Sequence, residues 1–321
     1  MIDKMSPLVT IVTASYKKFE HIYETIKSVI DQDYSNIEYI IADDGSPNFP
    51  ENKIVDYIKQ NAPRLNYKIY HSNINRGTVK NINYAFKNSE GDYIFPLSCG
   101  DSFFSKDIVS RIVDRFSTTK AKLIVTTRLF HDNYKPICLL PHYYDRKKIE
   151  NFDTNQKQYE AFITRRFYAM ASGSVMYYTR ELLEELNYFD EKYVLWEDGP
   201  FLAKYLQKYP LTFAYDIISI WYEYGGMSTN KKQKNQLLLA DDILFDRTER
   251  LMHIDELESK NYVKFWYELS LCTCKMDILK LKIKYPFVSL FYKSLNIRNK
   301  ISIYLDKKIL KKIVVPTKIN N

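Results

Sequence analysis

IEYIIADDGS, residues 37–46, decides the fold: a near-continuous apolar run closes on two aspartates, a glycine and a serine. Such a run is the pattern of a parallel strand covered on both faces, and polar residues at its carboxyl end line the crevice where α/β sheets take ligands. The same design recurs in VTIVTASY at 9–16, GDYIFPLSCGD at 91–101 and YVLWEDGPF at 193–201. Four polar strand ends of this kind predict one shared site.

Helical spacing fills the intervals. Ile22, Ile26 and Val29 share a helix face after the first strand, as do Ile54, Tyr57 and Ile58 after the second. A helix from about Gly77 to Phe86 separates a third strand near 67–71 from a fourth at 92–97. Ser105 is the expected N-cap of a helix carrying Ile108, Ile112 and Phe116, and LIVTT at 123–127 reads as a fifth strand. This βαβα alternation predicts an α/β fold, a mostly parallel sheet with helices on both faces. Residues 128–170 lose any clear period and predict a long loop near the cleft. A helix from Arg180 to Leu186 then precedes WEDGP, whose Pro200 suits the first turn of a helix through Phe201, Leu202, Tyr205 and Leu206. From about residue 231 the chain reads as helical, with neither Gly nor Pro until Pro286. The expected division is an α/β domain over 1–230 and a helical, basic C-terminal extension over 231–321.

With 321 residues, 45% of them hydrophobic, the chain can bury a substantial core, which excludes a disordered protein. Its twenty-eight tyrosines suit a sugar-facing cleft or a membrane interface, and equally the codon bias of an AT-rich genome. The formal charge of +8 is concentrated: residues 285–321 carry eight basic residues against the single acid Asp306, a net +7. That argues against a nucleic-acid binder with a dispersed basic face and for a tail that meets anionic lipid, or else for a solvated basic terminus. Ile301, Leu305, Ile309 and Ile313 drift along one face of such a tail, with Lys307 and Lys311 on another and Lys312 intruding. No stretch is long and apolar enough to span a bilayer, and no cleavable signal opens the chain, so a cytoplasmic location is expected, with peripheral contact at the inner face of the plasma membrane. Cys272 and Cys274 have one residue between them, too few for a zinc knuckle, and reduced structural cysteines are expected.

The first glycine is Gly45, so dinucleotide and P-loop fingerprints are absent after the first strand. Thr13, Ala14, Ser15 and Tyr16 stand there instead, offering a ring to stack on a base, or simply a helix entry. Asp43 and Asp44 read as base or ribose contacts or as a solvated turn. Asp101, in a Gly-assisted turn at the sheet edge, is the carboxylate that a hard divalent cation on substrate phosphates would want. Glu197 and Asp198 sit at a helix start, where the dipole complements their charge and favours the ionised form.

Taken with NRGTVKNIN at 75–83, these segments resemble the inverting family 2 glycosyltransferases of the GT-A fold, over roughly residues 7–225. The resemblance implies nucleotide contacts at Thr13, Ala14, Tyr16, Asp43, Asp44, Arg76 and Asn83. It implies a metal or diphosphate ligand at Asp101, with Mg²⁺ or Mn²⁺ as cofactor; Ser98 and Gly100 stand where the family's acidic signature carries further aspartates. Ser98, Gly100, Gly173, Ser174 and Trp196 fall where the family holds donor sugar and acceptor, although Gly173 and Ser174 equally suit a plain turn. Asp198 matches the general base, beside Glu197.

The implied enzyme is a hexosyltransferase that moves a sugar from a nucleotide diphosphate donor, UDP first, to a hydroxyl of a glycan or lipid-linked oligosaccharide with inversion, as in bacterial surface polysaccharide and capsule synthesis. A homodimer is compatible with this reading. Two alternatives stay open: a sugar-1-phosphate nucleotidyltransferase, which TASYKKF disfavours for want of glycines, and a non-catalytic partner in a glycan-assembly complex, which the intact Glu197-Asp198 pair disfavours.

Overall fold

A computed structural model of the chain describes residues 6–166, 171–223 and 235–312. The boundary expected at 230 and Ile313 of the tail lie outside the described residues. The apolar runs form β1 (Val9–Ser15) and β2 (Ile37–Asp43), buried along almost their whole length. With β3 (Asn66–His71) and β4 (Tyr93–Pro96) they make a parallel block in the order β3-β2-β1-β4. The crossovers are α1 (Ile22–Ile30), α2 (Glu51–Asn61) and α3 (Thr78–Lys87), and α1 turns Ile22, Thr25, Ile26 and Val29 inward as its spacing requires.

Past β4 the sheet becomes mixed. A short β5 (Ser102–Phe103) and α4 (Ile108–Thr119) lead into β6 (Leu123–Asp132), which lies antiparallel to β8 (Met176–Thr179) and parallel to β9 (Thr212–Glu223). α4 begins after Asp107 with no side-chain cap; the Ser105 hydroxyl bonds the Asp107 carboxylate instead of the helix.

Of the long loop expected at 128–170, the described residues 128–166 form strands and helices. β6 runs to Asp132, turns, and returns as β7 (Lys135–Leu140), followed by α5 (Tyr143–Ile149) and α6 (Asn155–Ile163). The turn places Asn133 and Tyr134 both at positive φ, 46° and 61°, the geometry of a tight hairpin. Without a glycine there, the turn gave no sequence signal.

After α7 (Arg180–Glu185), α8 (Asp198–Leu206) opens with Pro200 in its first turn, as expected. The C-terminal region is helical: α9 (Gln236–Phe245), α10 (Lys260–Leu271), α11 (Lys275–Lys284) and α12 (Pro286–Leu310). It is built into the α/β core. Leu310 and Ile309 pack with Leu129, Leu139 and Trp221. Asp306, fully buried, accepts hydrogen bonds from Arg146 Nη2 (3.1 Å) and His142 Nδ1 (3.3 Å) of the α5 segment.

Candidate active site

The ends of β1 and β2 are tied together from within. Asp43 is fully buried and accepts from the Ser15 hydroxyl (3.0 Å), the Ser46 hydroxyl (2.6 Å), the Ser46 N–H (2.8 Å) and His71 Nδ1 (2.9 Å). Its acceptor sites are spent on protein, so it fastens three strand ends rather than facing the crevice. Asp44 accepts from the N–H groups of Arg76 (2.8 Å) and Gly77 (2.9 Å), fixing the loop that carries Arg76. The Arg76 guanidinium lies 4.6 Å over the Tyr84 ring and donates to Asn81 Oδ1 (3.0 Å). Tyr16, at the carboxyl end of β1, is exposed.

The turn from Ser98 to Asp101 hangs on neighbouring elements. The Cys99 N–H donates to the Ala14 carbonyl (3.0 Å), and the Thr25 hydroxyl of α1 accepts from Gly100 N–H (3.0 Å) while donating to the Asp101 carbonyl (2.8 Å). Gly100 adopts φ +99°, which favours glycine, beside open space. The Asp101 side chain is 5% exposed, and its Oδ2 is buried with no hydrogen-bond partner. Burial pushes its carboxyl up to about 8, against the pull of the Arg128 guanidinium and with a further push from Glu223. An orphaned carboxylate oxygen suits a cation. Among the described residues no group of three His, Cys, Asp or Glu side chains can cage one, so the fit is to an ion held chiefly by donor phosphates.

Glu197 and Asp198 line the opposite wall, half-buried at the start of α8. Asp198 Oδ2 accepts the Gly173 N–H at 2.5 Å, and the Trp196 indole N–H and the Gly199 N–H also support it. A Cβ at residue 173 would stand 2.7 Å from Glu197 Oε1, so any larger residue there would displace the Glu197 carboxylate. Burial raises both carboxyls, Glu197 to about 8, with the neighbouring Asp198 adding repulsion. Desolvation thus works against the helix dipole, an effect of about 1 kcal/mol that favours the ionised form expected from the sequence.

Arg128, which sequence reasoning missed, joins the two walls. Its Nη1 donates to the hydroxyls of Ser172 (2.7 Å) and Ser174 (3.0 Å), on either side of Gly173. Its guanidinium lies 4.9 Å over Phe130 and 4.8 Å over Tyr222, and its charge bears on both Asp101 and Asp198. A single cation inside LIVTTRLF was the available signal.

Asp241 of α9 was also missed. It is buried and accepts from the N–H groups of Val194 (3.1 Å), Leu195 (2.7 Å) and Trp196 (3.0 Å), holding the segment that presents Glu197 and Asp198.

The other expected residues divide. Ser98 is exposed in its turn, and Ala14 is half-buried at the β1 end. Thr13 is buried, its hydroxyl 3.0 Å from that of Tyr39. Asn83 is buried and bonds the Phe189 carbonyl (2.8 Å), the Phe189 N–H (3.0 Å) and Glu191 (3.0 Å), so it pins a turn onto α3 instead of meeting a nucleotide. Trp196 packs edge-on to Phe245 at 4.9 Å and covers Gly199, which sets it in the wall.

The pattern of Glycosyl transferase family 2 matches residues 10–186. The putative colanic acid biosynthesis glycosyl transferase WcaA of Escherichia coli is 30% identical over 41% of this chain and 44% of its own length. The uncharacterized glycosyltransferase EpsJ of Bacillus subtilis is 26% identical over 61% of this chain and 55% of its own. The chain thus spans only about half the length of these relatives. Among solved structures, S. aureus TarS 1-349 in complex with UDP-GlcNAc aligns with a TM-score of 0.58 at 17% identity, over 85% of this chain and 79% of that one. The mannosyltransferase PcManGT from Pyrobaculum calidifontis, in complex with GDP-Man and Mn²⁺, gives 0.54 at 12% identity, over 92% and 88%. At these identities the structures speak for a shared GT-A-type α/β fold. The family pattern spans more than half of the chain and takes in the ends of β1, β2 and β4 together with Arg128 and Gly173; on that ground the chain belongs to glycosyl transferase family 2.

Proposed function

We propose that the protein transfers a sugar from a nucleoside diphosphate donor, UDP first, to a hydroxyl of a glycan or lipid-linked acceptor with inversion, in the synthesis of a bacterial surface polysaccharide. The observation that carries this reading is the placement of Arg128: its guanidinium donates to the hydroxyls of Ser172 and Ser174, on either side of the Gly173 whose N–H holds Asp198, and its charge bears on both Asp101 and Asp198.

In this reading Ala14, Tyr16, Asp44 and the Arg76 loop hold the nucleotide at the ends of β1 and β2. Asp198, oriented by the Gly173 N–H, takes the proton of the acceptor hydroxyl as that oxygen attacks the anomeric carbon from the face opposite the diphosphate. Arg128 stabilises negative charge that develops between the walls. Asp101 is the residue that would hold Mg²⁺ or Mn²⁺, which when bound neutralises charge on the diphosphate.

A panel of nucleotide sugars scored for release of the free nucleoside diphosphate, with and without lipid-linked acceptors, tests the reading. Release from one donor, accelerated by an acceptor, is expected. No release from any donor would reject catalysis.

A further inference from the structure

The solvent face of the C-terminal helices carries an apolar ridge. On α11, Met276, Leu279 and Ile283 are 59%, 53% and 72% exposed, while Leu281 on the opposite side is buried. At about 100° per residue the three fall within about 60° of one another. The ridge continues onto α12 through Phe287, 86% exposed, and Leu290, and then through Ile297, Ile301 and Tyr304 at helical spacing. Side chains this apolar and this exposed, on adjoining helices, are more than scattered surface hydrophobics.

The charges around the ridge say what covers it. On α11, Lys275 and Lys282 lie on one flank of the stripe and Lys280 and Lys284 on the other, Lys284 paired with Glu268. On α12, Lys293, Lys300, Lys307 and Lys311 lie beside it, and the Lys308 ammonium sits 4.9 Å over the Tyr304 ring. Residues 275–312 hold eleven basic residues against Asp277 and Asp306, a net +9 in a chain of net +8. Asp306 is buried against Arg146 and His142, so it offers no negative charge at this surface. An apolar stripe bordered by lysines is the form that lies along a lipid headgroup layer, apolar side chains among the acyl chains and ammonium groups at the phosphates. No helix among the described residues is long and apolar enough to cross a membrane, which leaves surface attachment as the mode.

We propose that the ridge from Met276 through Tyr304, with its flanking lysines, docks the protein on an anionic lipid bilayer. This differs from the tail face read from the sequence: Ile309 packs against the core, Leu305 is half-buried, and among the described residues of that face only Ile301 stands on the ridge. The docking stands on the surface itself and does not depend on the transfer reaction.

Sedimentation of the full chain with vesicles tests it, comparing phosphatidylcholine alone with phosphatidylcholine containing phosphatidylglycerol. Binding to the anionic vesicles is expected, weakened at least about tenfold by Ile283→Ser with Phe287→Ser, and separately by Lys280→Gln with Lys282→Gln. These side chains are exposed, so folding and donor turnover in solution should be unchanged. Equal binding to both vesicle types, or an unaltered Ile283→Ser/Phe287→Ser variant, overturns the proposal. So does a chain that is dimeric without lipid and made monomeric by that variant, since the ridge would then join two copies. If no donor is turned over while vesicle binding behaves as expected, the transfer reading fails and the docking stands.

Discussion

At the level of single side chains, the site sets buried acids against one guanidinium, and this dictates its pH response. Asp198→Asn keeps the shape but removes the proton acceptor; kcat is expected to fall by about two to four orders of magnitude while UDP affinity by calorimetry stays near wild type. Burial raises the carboxyls of Glu197 and Asp198 above the usual carboxylate range, and the Asp198 charge raises Glu197 further, so the base is protonated at low pH and turnover should climb with pH along an acid limb displaced upward from that of a free aspartate. Glu197→Gln deletes the repulsion, and the acid limb of the rate profile should move to lower pH. Stability responds in the opposite sense. A carboxyl raised in the folded state keeps a proton that the unfolded chain gives up from about pH 4. Its stabilising contribution is therefore complete below that pH and is lost as pH rises through about 8. The Tm advantage of Glu197→Gln over wild type should accordingly grow between pH 5 and pH 9.

At the level of elements, the strand ends were legible because a doubly covered strand must be apolar throughout and the polarity at its close is then conspicuous. β1, β2 and β4 and the start of α8 stood out in this way. What the sequence hid was pairing across distance. Asn83 sits in a motif that resembles a nucleotide contact, yet its amide spans to Phe189, a partner that no local pattern announces. Asp43 and Asp44 look alike in sequence, but one fastens strand ends and the other holds the Arg76 loop. Asp241 is the clearest case: in LLLADDILF it reads as an acid on a helix, whereas in space it orders the residues before Glu197. Asp241→Ala leaves three N–H groups without their acceptor. It should cost about 1–3 kcal/mol in urea unfolding and lower kcat with little change in UDP affinity. A purely structural role would reduce stability and leave kcat per folded molecule intact.

For the whole molecule, the described C-terminal helices complete the α/β core rather than trail from it. Asp306 of α12 neutralises Arg146 beneath the surface, and Asp241 of α9 holds the segment that leads into Glu197 and Asp198. Asp306→Ala strands the guanidinium in a buried site and should cost about 3–5 kcal/mol, read as a lower urea midpoint for the entire chain in a single transition. A transition confined to the helical region would instead favour a separable extension. The slipped pairing of β6 with β9 has a consequence of its own. Between Ala214 and Ile218 the latter strand takes a detour past exposed Asp216, advancing only from Thr126 to Thr127 on its neighbour, and this surplus length brings Tyr222 beneath Arg128. Trimming or lengthening that bend would slide the Tyr222 ring away from the Arg128 guanidinium without changing the identity of any residue in the cleft. The length of this bend, in which buried Tyr215 and Ile217 flank Asp216, thus acts as the spacer that sets how far apart ring and cation stand.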